Sequence, residues 1–316
     1  MRIALMIEGQ EDVSWKDWTA LAEAVDGTGY DALFRSDHYL SLMGFEHERD
    51  ATDAWTVLAG LAAVTDQVRL GTLVSPVTFR HPSQLAKIVA TVDHISGGRV
   101  ELGMGAGWNE REHAAYGFAF PEVGERFDRL EEQVEIVSRS WSEDELSFAG
   151  DHYSLDGVTA RPRPVQSPPT LLLGGSAGPR ASALAARYAA EYNSVPTDHE
   201  GVRERRANLD RACEAVERDP ADLPLSMMVP LVVGETRAEV EARAATILGR
   251  LGRDGTDVPT FLEERAGTWL AGTPSQVLDQ IGRLGDLGVS RVMLQHLDHT
   301  DLETVELVAE QVIPNL

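Results

Sequence analysis

The stretch from Arg69 to Glu112 reads strand, loop, helix, strand, loop, and no other part of the chain restricts the fold as much. Leu70 to Ser75 is short, apolar and β-branched, which suits a buried strand, and Pro76 and Pro82 close it. Leu85, Ile88, Val89, Val92 and Ile95 recur at helical spacing, and Gly97-Gly98 ends that helix. Val100 to Met104 begins the next strand. Strand, helix and strand in so short a length form a right-handed crossover between parallel neighbours. In sheets built this way, chemistry lies on the loops leaving the C-terminal strand ends. Two loops become candidates: the one around Val74-Ser75-Pro76, and the one holding Gly103, Gly105, Gly107, Trp108 and Asn109.

The alternation extends along the chain. Arg2 to Ile7 is a first strand ending at Glu8, and Trp15 to Asp26 a helix with Ser14 as N-cap. Tyr30 to Arg35 is a second strand, whose end carries Ser36-Asp37-His38. Ala54 to Val64 is a helix before the third strand, and a long amphipathic helix runs from about Glu125 to Trp141. Thr170 to Leu173 is a buried strand leading into Gly174-Gly175-Ser176-Ala177-Gly178 and a helix from Pro179 to Tyr188. Further strands are expected at Glu191 to Val195, Leu225 to Val233 and Arg291 to Gln295. About eight strands, each followed by helical material, predict a single (β/α)₈ TIM-barrel domain over 1–316, with insertion-like segments at about 142–169 and 252–274. A doubly wound open sheet is the competing topology, but it usually carries a Gly-x-Gly-x-x-Gly turn after its first strand, and Glu8-Gly9-Gln10 is not one.

The formal net charge is −23, which disfavours nucleic acid or an acidic membrane as partner, since both reward a basic face. One cysteine, Cys213, rules out an internal disulfide and fits a reducing cytoplasm. The apolar start MRIALMIEG is too short for a signal peptide, and no apolar run approaches the roughly 18 residues of a membrane span. A soluble cytoplasmic protein is expected.

Gly174, Gly175 and Gly178, with Ser176 as an added donor, sit between a strand and a helix N-terminus, where backbone N–H groups and the helix dipole suit one anion. A tight turn that binds nothing fits the same residues. Gly103, Gly105 and Gly107 alternate at a strand end and permit close approach of a flat ligand. Asp37 and His38 lie just past a strand end, and an imidazole there suits proton transfer near neutral pH. A loop-capping Asp37 and a His38 satisfied by a carbonyl fit equally. His38, His47, His81, His94, His113 and His152 show no metal-binding spacing, so no metal is expected. Glu8, Asp37, Glu110 and Glu112 leave a glycosidase carboxylate pair open, with nothing to fix the pair.

Taken together, Ser36-Asp37-His38, LGTLVSPVTFRHP, ISGGRVELGMGAGWNERE and LLLGGSAGPRASALAARYA resemble the bacterial luciferase-like superfamily, and more closely the coenzyme F420-dependent oxidoreductases of actinobacteria within it. The resemblance implies a (β/α)₈ barrel, often a homodimer, with a deazaflavin at the C-terminal mouth and a small-molecule substrate. It implies His38 as the acid or base, Asp37 as its neighbour on the cofactor and Glu8 as a first-strand glutamate lining the site. It implies a bulge with a non-prolyl cis peptide at Leu73-Val74, adjoining Ser75, under the middle ring. Gly105, Gly107, Trp108 and Asn109 would border the ring and ribityl chain, and Gly174, Gly175, Ser176 and Gly178 would hold the phosphate. Arg80, Arg161, Arg163 and Arg180 are candidate cations for the cofactor's anionic tail. Trp108 departs from the sugar-phosphate dehydrogenases of this family, which place a glutamate there, and Leu42 replaces their tryptophan. Three activities compete: F420-dependent hydride transfer at C5, an FMN-dependent monooxygenase using reduced FMN and O₂, and a non-catalytic flavin or deazaflavin binder.

Overall fold

The computed structural model describes residues 1–45 and 48–316, so His47 lies outside the described residues. Eight parallel strands follow one another in chain order: β1 (Arg2–Ile7), β2 (Ala32–Arg35), β3 (Arg69–Thr72), β4 (Val100–Gly105), β5 (Thr170–Gly175), β6 (Glu191–Ser194), β7 (Leu225–Val233) and β8 (Val289–Gln295). Each pairs with the next, and β8 returns to β1 with Met6 opposite Gln295. The ring is therefore closed, as a TIM barrel requires, and the open-sheet alternative is excluded.

The strands are continuous apolar runs because both their faces are buried. Ala4, Met6, Ala32, Phe34, Leu172 and Met293 fill the barrel interior. Ile3, Leu5, Leu33, Leu70, Leu102 and Leu173 point outward into the helix layer, where they meet Trp18, Leu21 and Val89. Full burial of each large apolar side chain stabilises by about 1.5–3 kcal/mol. Helix Trp15–Val25 starts where expected, with Ser14 and Asp17 forming a reciprocal capping box.

Three departures from the expected pattern bear on function. Strand β3 stops at Thr72 and rejoins the sheet at Ser75–Pro76, where Ser75 lies opposite Met104, so Leu73 and Val74 leave the ladder. A short helix, Glu110–Tyr116, follows the glycine-rich loop before the long helix Val123–Ser142. In helix Pro82–Ser96, Ile95 is 45% exposed while Asp93 is buried, because Asp93 accepts from the backbone N–H (2.9 Å) and Nε2 (2.6 Å) of Gln166.

Residues 142–169 contain an antiparallel hairpin, Leu146–Ala149 with Ser154–Val158. Residues 252–274 contain helix Val258–Glu264 and strand Leu270–Gly272, which extends alongside the upper half of β7. Among the described residues no helix is long and apolar enough to cross a membrane, and no group of three or more His, Cys, Asp or Glu side chains could hold a metal ion.

Candidate active site at the C-terminal mouth of the barrel

Glu8 follows β1 directly. Its carboxylate is buried and accepts from Gln10 Nε2 (2.9 Å) and Gln295 Nε2 (2.6 Å), the latter at the end of β8. Ser36 follows β2, where its Oγ accepts from Gly9 N–H (2.9 Å) and donates to Gln10 Oε1. The first two strand ends are thus tied together before any ligand is considered.

Asp37 and His38 point to different partners, as adjacent residues beyond a strand should. Asp37 is fully buried in a bidentate pair with Arg80 (Nη2 to Oδ1 3.1 Å) and accepts from Ser75 Oγ (2.7 Å). Ser75 also accepts from Trp55 Nε1 (3.0 Å), and Arg80 reaches on to Asp53 (2.9 Å). Burial works against the Arg80 charge, but Asp37 outweighs it and raises the pKa further. Asp37 therefore anchors the β3 loop through Ser75.

His38 meets Glu112, a residue of the short helix, 74 positions away in sequence. Nδ1 lies 3.1 Å from both Glu112 oxygens. Glu112 is itself buried and accepts from the Tyr39 (2.7 Å) and Leu40 (3.3 Å) backbone N–H groups. A carboxylate only accepts, so the proton on this side belongs to Nδ1, and Nε2 is the nitrogen left for chemistry. Burial acts to lower the His38 pKa, but the Glu112 hydrogen bond and charge prevail, with Glu8 and Asp37 adding to them, and the pKa rises above the ordinary histidine value. The Trp108 indole stands edge-on to the imidazole, with ring centroids 5.7 Å apart, and is 65% exposed.

The Leu73–Val74 peptide is cis. Val74 is half-buried and sits over three glycines from neighbouring strands. A Cβ on Gly103 would stand 2.9 Å from Val74 Cγ1 and 2.2 Å from the Thr72 carbonyl oxygen; on Gly105, 2.8 Å from Val74 Cγ2; on Gly174, 2.9 Å from Val74 Cγ1. The alternating glycines thus make room for the protein's own bulge, which forms a small apolar shelf. Gly107 (φ 79°) turns the chain over Pro76 and Thr78, and the carbonyl of buried Asn109 accepts from His113 Nδ1 (2.7 Å).

In the loop after β5, Ser176 is exposed, and Gly178 caps helix Pro179–Tyr188 without a side-chain cap bond, so the first-turn N–H groups have no side-chain acceptor from the cap. The Ala177 N–H is already donated to Tyr192 Oη (2.9 Å), and its carbonyl accepts from Ser182 Oγ and Asn208 Nδ2 (3.0 Å each). The cations expected to serve this loop are engaged elsewhere. Arg80 pairs with Asp37 and Asp53, Arg161 and Arg163 with Asp144, and Arg180 with Asp128 and Glu131. Sequence reading passed over Arg205. Its Nη1 donates to Ser194 Oγ and the Val195 carbonyl at the end of β6, next to β5, where Gly175 lies opposite Ser194. Burial lowers the Arg205 pKa, as expected of a half-buried cation held by a hydroxyl and a carbonyl rather than a carboxylate.

The luciferase-like monooxygenase family matches residues 1–291. The F420-dependent glucose-6-phosphate dehydrogenase of Nakamurella multipartita is 29% identical, covering 94% of this chain and 91% of that protein. The FMNH(2)-dependent dimethylsulfone monooxygenase of Pseudomonas putida is 24% identical, covering 93% and 86%. Among solved structures, monooxygenase RslO1 from Streptomyces bottropensis superposes with a TM-score of 0.84 at 26% identity, over 99% of both chains. A closed barrel and a match across almost all of its length agree: the chain belongs to the luciferase-like monooxygenase family.

Proposed function

We propose that this protein is a coenzyme F420-dependent oxidoreductase that transfers a hydride between C5 of the deazaflavin and a small organic substrate, with His38 giving or taking the proton. The observation that carries the reading is the His38–Glu112 pair at the barrel mouth, in a chain alike over nearly its whole length to F420-dependent dehydrogenases. The residues fit a flat group with an anionic tail. Val74 provides a shelf held by Gly103, Gly105 and Gly174, with Leu73 and Ser75 fixing its ends. Gly105, Gly107, Trp108 and Asn109 flank the shelf. Gly174, Gly175, Ser176, Gly178 and the uncapped helix N-terminus suit a phosphodiester, and Arg205 supplies the countercharge.

A bound deazaflavin supplies two-electron chemistry that protein side chains lack. The chain contributes the rest. Glu112 holds the imidazole by Nδ1, so that Nε2 faces the substrate in one orientation. The raised His38 pKa keeps the ring able to donate as well as accept near neutral pH. Asp37 and Arg80 position the shelf, and Glu8, already holding Gln10 and Gln295, closes the floor beside β8.

An FMN-dependent monooxygenase is the second reading, favoured by the likeness to the FMNH(2)-dependent dimethylsulfone monooxygenase and to monooxygenase RslO1. Titration of the purified protein with F420 and with FMN, followed by fluorescence and thermal stabilisation, separates the two. F420 binding is expected. Micromolar FMN affinity with none for F420 would overturn the first reading, and oxygen consumption with reduced FMN would establish the second.

A further inference from the structure

Several relatives, the F420-dependent glucose-6-phosphate dehydrogenases, act by their names on a hexose phosphate, and so dianionic a substrate needs cations. The mouth of this barrel gathers six carboxylates, Glu8, Glu11, Asp37, Asp53, Glu112 and Asp298, against four arginines, Arg35, Arg49, Arg80 and Arg250. Arg35 is fully buried and donates to the Ser36 and Thr52 carbonyls and Thr52 Oγ1, and the other three are paired with carboxylates. Arg49 binds Glu11, Arg80 binds Asp37 and Asp53, and Arg250 binds Asp298 at 2.7 Å. Arg111, on the short helix, is engaged as well. A phosphate here would meet a surplus of negative charge and no uncommitted guanidinium from this set, and like charges brought together in an interface cost several kcal/mol.

The carboxylates are equally committed. Glu8 accepts from two glutamines, and Glu11 from Ser41 Oγ (2.8 Å), the Leu42 N–H (2.8 Å) and Arg49. Glu112 accepts from His38 and two backbone N–H groups. A cationic substrate would have to displace these donors to reach a carboxylate oxygen. What the mouth does offer is apolar. Trp108 presents its indole to solvent beside His38, whereas the neighbouring rings of Tyr39, Phe79, Tyr116 and Phe118 pack on one another. The small hollow beside Glu8, by contrast, is lined by Glu11, Arg49, Arg250, His296 and His299 as well as Met43 and Leu297, and is not part of that apolar surface. An exposed ring in edge contact with a proton-transfer group is a surface awaiting an apolar body.

We propose that the substrate is an uncharged alcohol or ketone whose cyclic or branched apolar body packs on Trp108, and that phosphorylated sugars are excluded. This rests on the oxidoreductase reading above and narrows its substrate. The test uses cyclohexanol, cyclohexylamine and glucose 6-phosphate with protein loaded with oxidised F420, and cyclohexanone with protein loaded with reduced F420, each followed through the cofactor's absorbance. The neutral pair should react saturably, and Trp108→Ala should raise their KM about tenfold. Because Trp108 also flanks the shelf for the ring, the variant's F420 affinity is read separately from cofactor fluorescence, and the KM values are compared at saturating F420. Glucose 6-phosphate or the amine reacting with a kcat/KM equal to or above that of cyclohexanol overturns the proposal, as does absence of any saturable response to the neutral pair. Thermal shift with cyclohexanone and glucose 6-phosphate in protein without cofactor keeps the two readings apart. Failure of F420 to bind counts against the oxidoreductase, whereas stabilisation by the sugar phosphate and not by the ketone counts against the substrate class.

Discussion

At the N-terminal ends of the strands, Arg2, Arg69 and Arg291 face Asp31, Glu101 and Glu191; at the C-terminal ends, carboxylates outnumber the arginines that face them. The lower cluster pairs its charges almost wholly within itself, with Glu191 Oε1 and Arg291 Nε left without hydrogen bonds among the described residues. Arg291 has no exposed side-chain surface and pairs with Glu101 (2.8 Å) and Asp31 (2.6 Å), while Arg2 holds Glu191 (2.7 Å) and Arg69 holds Glu101. Burial acts to raise the Glu101 pKa, but Arg291 and Arg69 prevail and hold it below the usual carboxylate range. In the upper cluster Glu112 takes only Nδ1 of His38, and the Trp108 indole beside it is 65% exposed. Balanced charge that satisfies itself plugs a barrel; charge with one unfilled valence at the mouth is equipment for a ligand.

The sharpest way to break that contrast is at its lower end. Arg291→Leu leaves Glu101 buried with only Arg69, and should lower unfolding free energy by about 3–5 kcal/mol in urea denaturation. A loss below about 1 kcal/mol would remove the structural role of the cluster. Because the Glu101 pKa is lowered in the folded state, its contribution is present above the ordinary carboxylate range and disappears as pH falls through the folded value.

At the upper end, His38→Ala should reduce kcat by about 10²–10⁴-fold while the protein still binds F420. Full turnover in that variant would end the assignment of His38. Glu112→Gln should act more mildly, by about 10–100-fold, as when other carboxylates that orient an imidazole from behind are lost. It should also move the histidine limb of the pH–rate profile to lower pH, because the group that lifts the His38 pKa is gone. The stability contributed by the pair runs the opposite way from that of Glu101. It is complete below the ordinary histidine value of 6.5 and fades as pH rises through the raised folded value. An unmoved limb in Glu112→Gln would show that another group sets it.

How far the sequence revealed this arrangement depends on what each residue meets. Strands β1 and β7 and helix Pro179–Tyr188 occur at their expected bounds, since apolar runs and a Gly-Pro start are local signals. The Glu110–Tyr116 helix escaped because its buried residues are Glu112 and His113, so it has no apolar stripe to detect. Glu112 as the partner of His38 was equally hidden, although two acids in the first turn after an Asn were a readable helix start. Glycines at 103 and 105 announced a close approach, but not that Val74 makes it, and Gly174, read as part of an anion-binding turn, also makes room for Val74. Whether an arginine is paired depends on carboxylates far away in sequence, and no spacing rule supplies that.

Arginine pairing gives the smallest effect and the cleanest control. Arg205 and Arg180 both lie near the loop after β5, but Arg205 donates to a hydroxyl and a carbonyl, whereas Arg180 bridges Asp128 and Glu131 on the surface. A charge-assisted bond to the cofactor's phosphodiester contributes about 1.5–3 kcal/mol, so Arg205→Ala should weaken F420 binding by about tenfold or more. Arg180→Ala removes only exposed ion pairs, which contribute about 0–1 kcal/mol, and should leave F420 affinity within about twofold. Measuring both by cofactor fluorescence at two salt concentrations adds a second reading, because the Arg205 difference should shrink as salt screens it. If the two variants lose affinity equally, the anion end of the site does not lie where Arg205 places it, and the contrast between an acidic mouth and a cationic tail site fails with it.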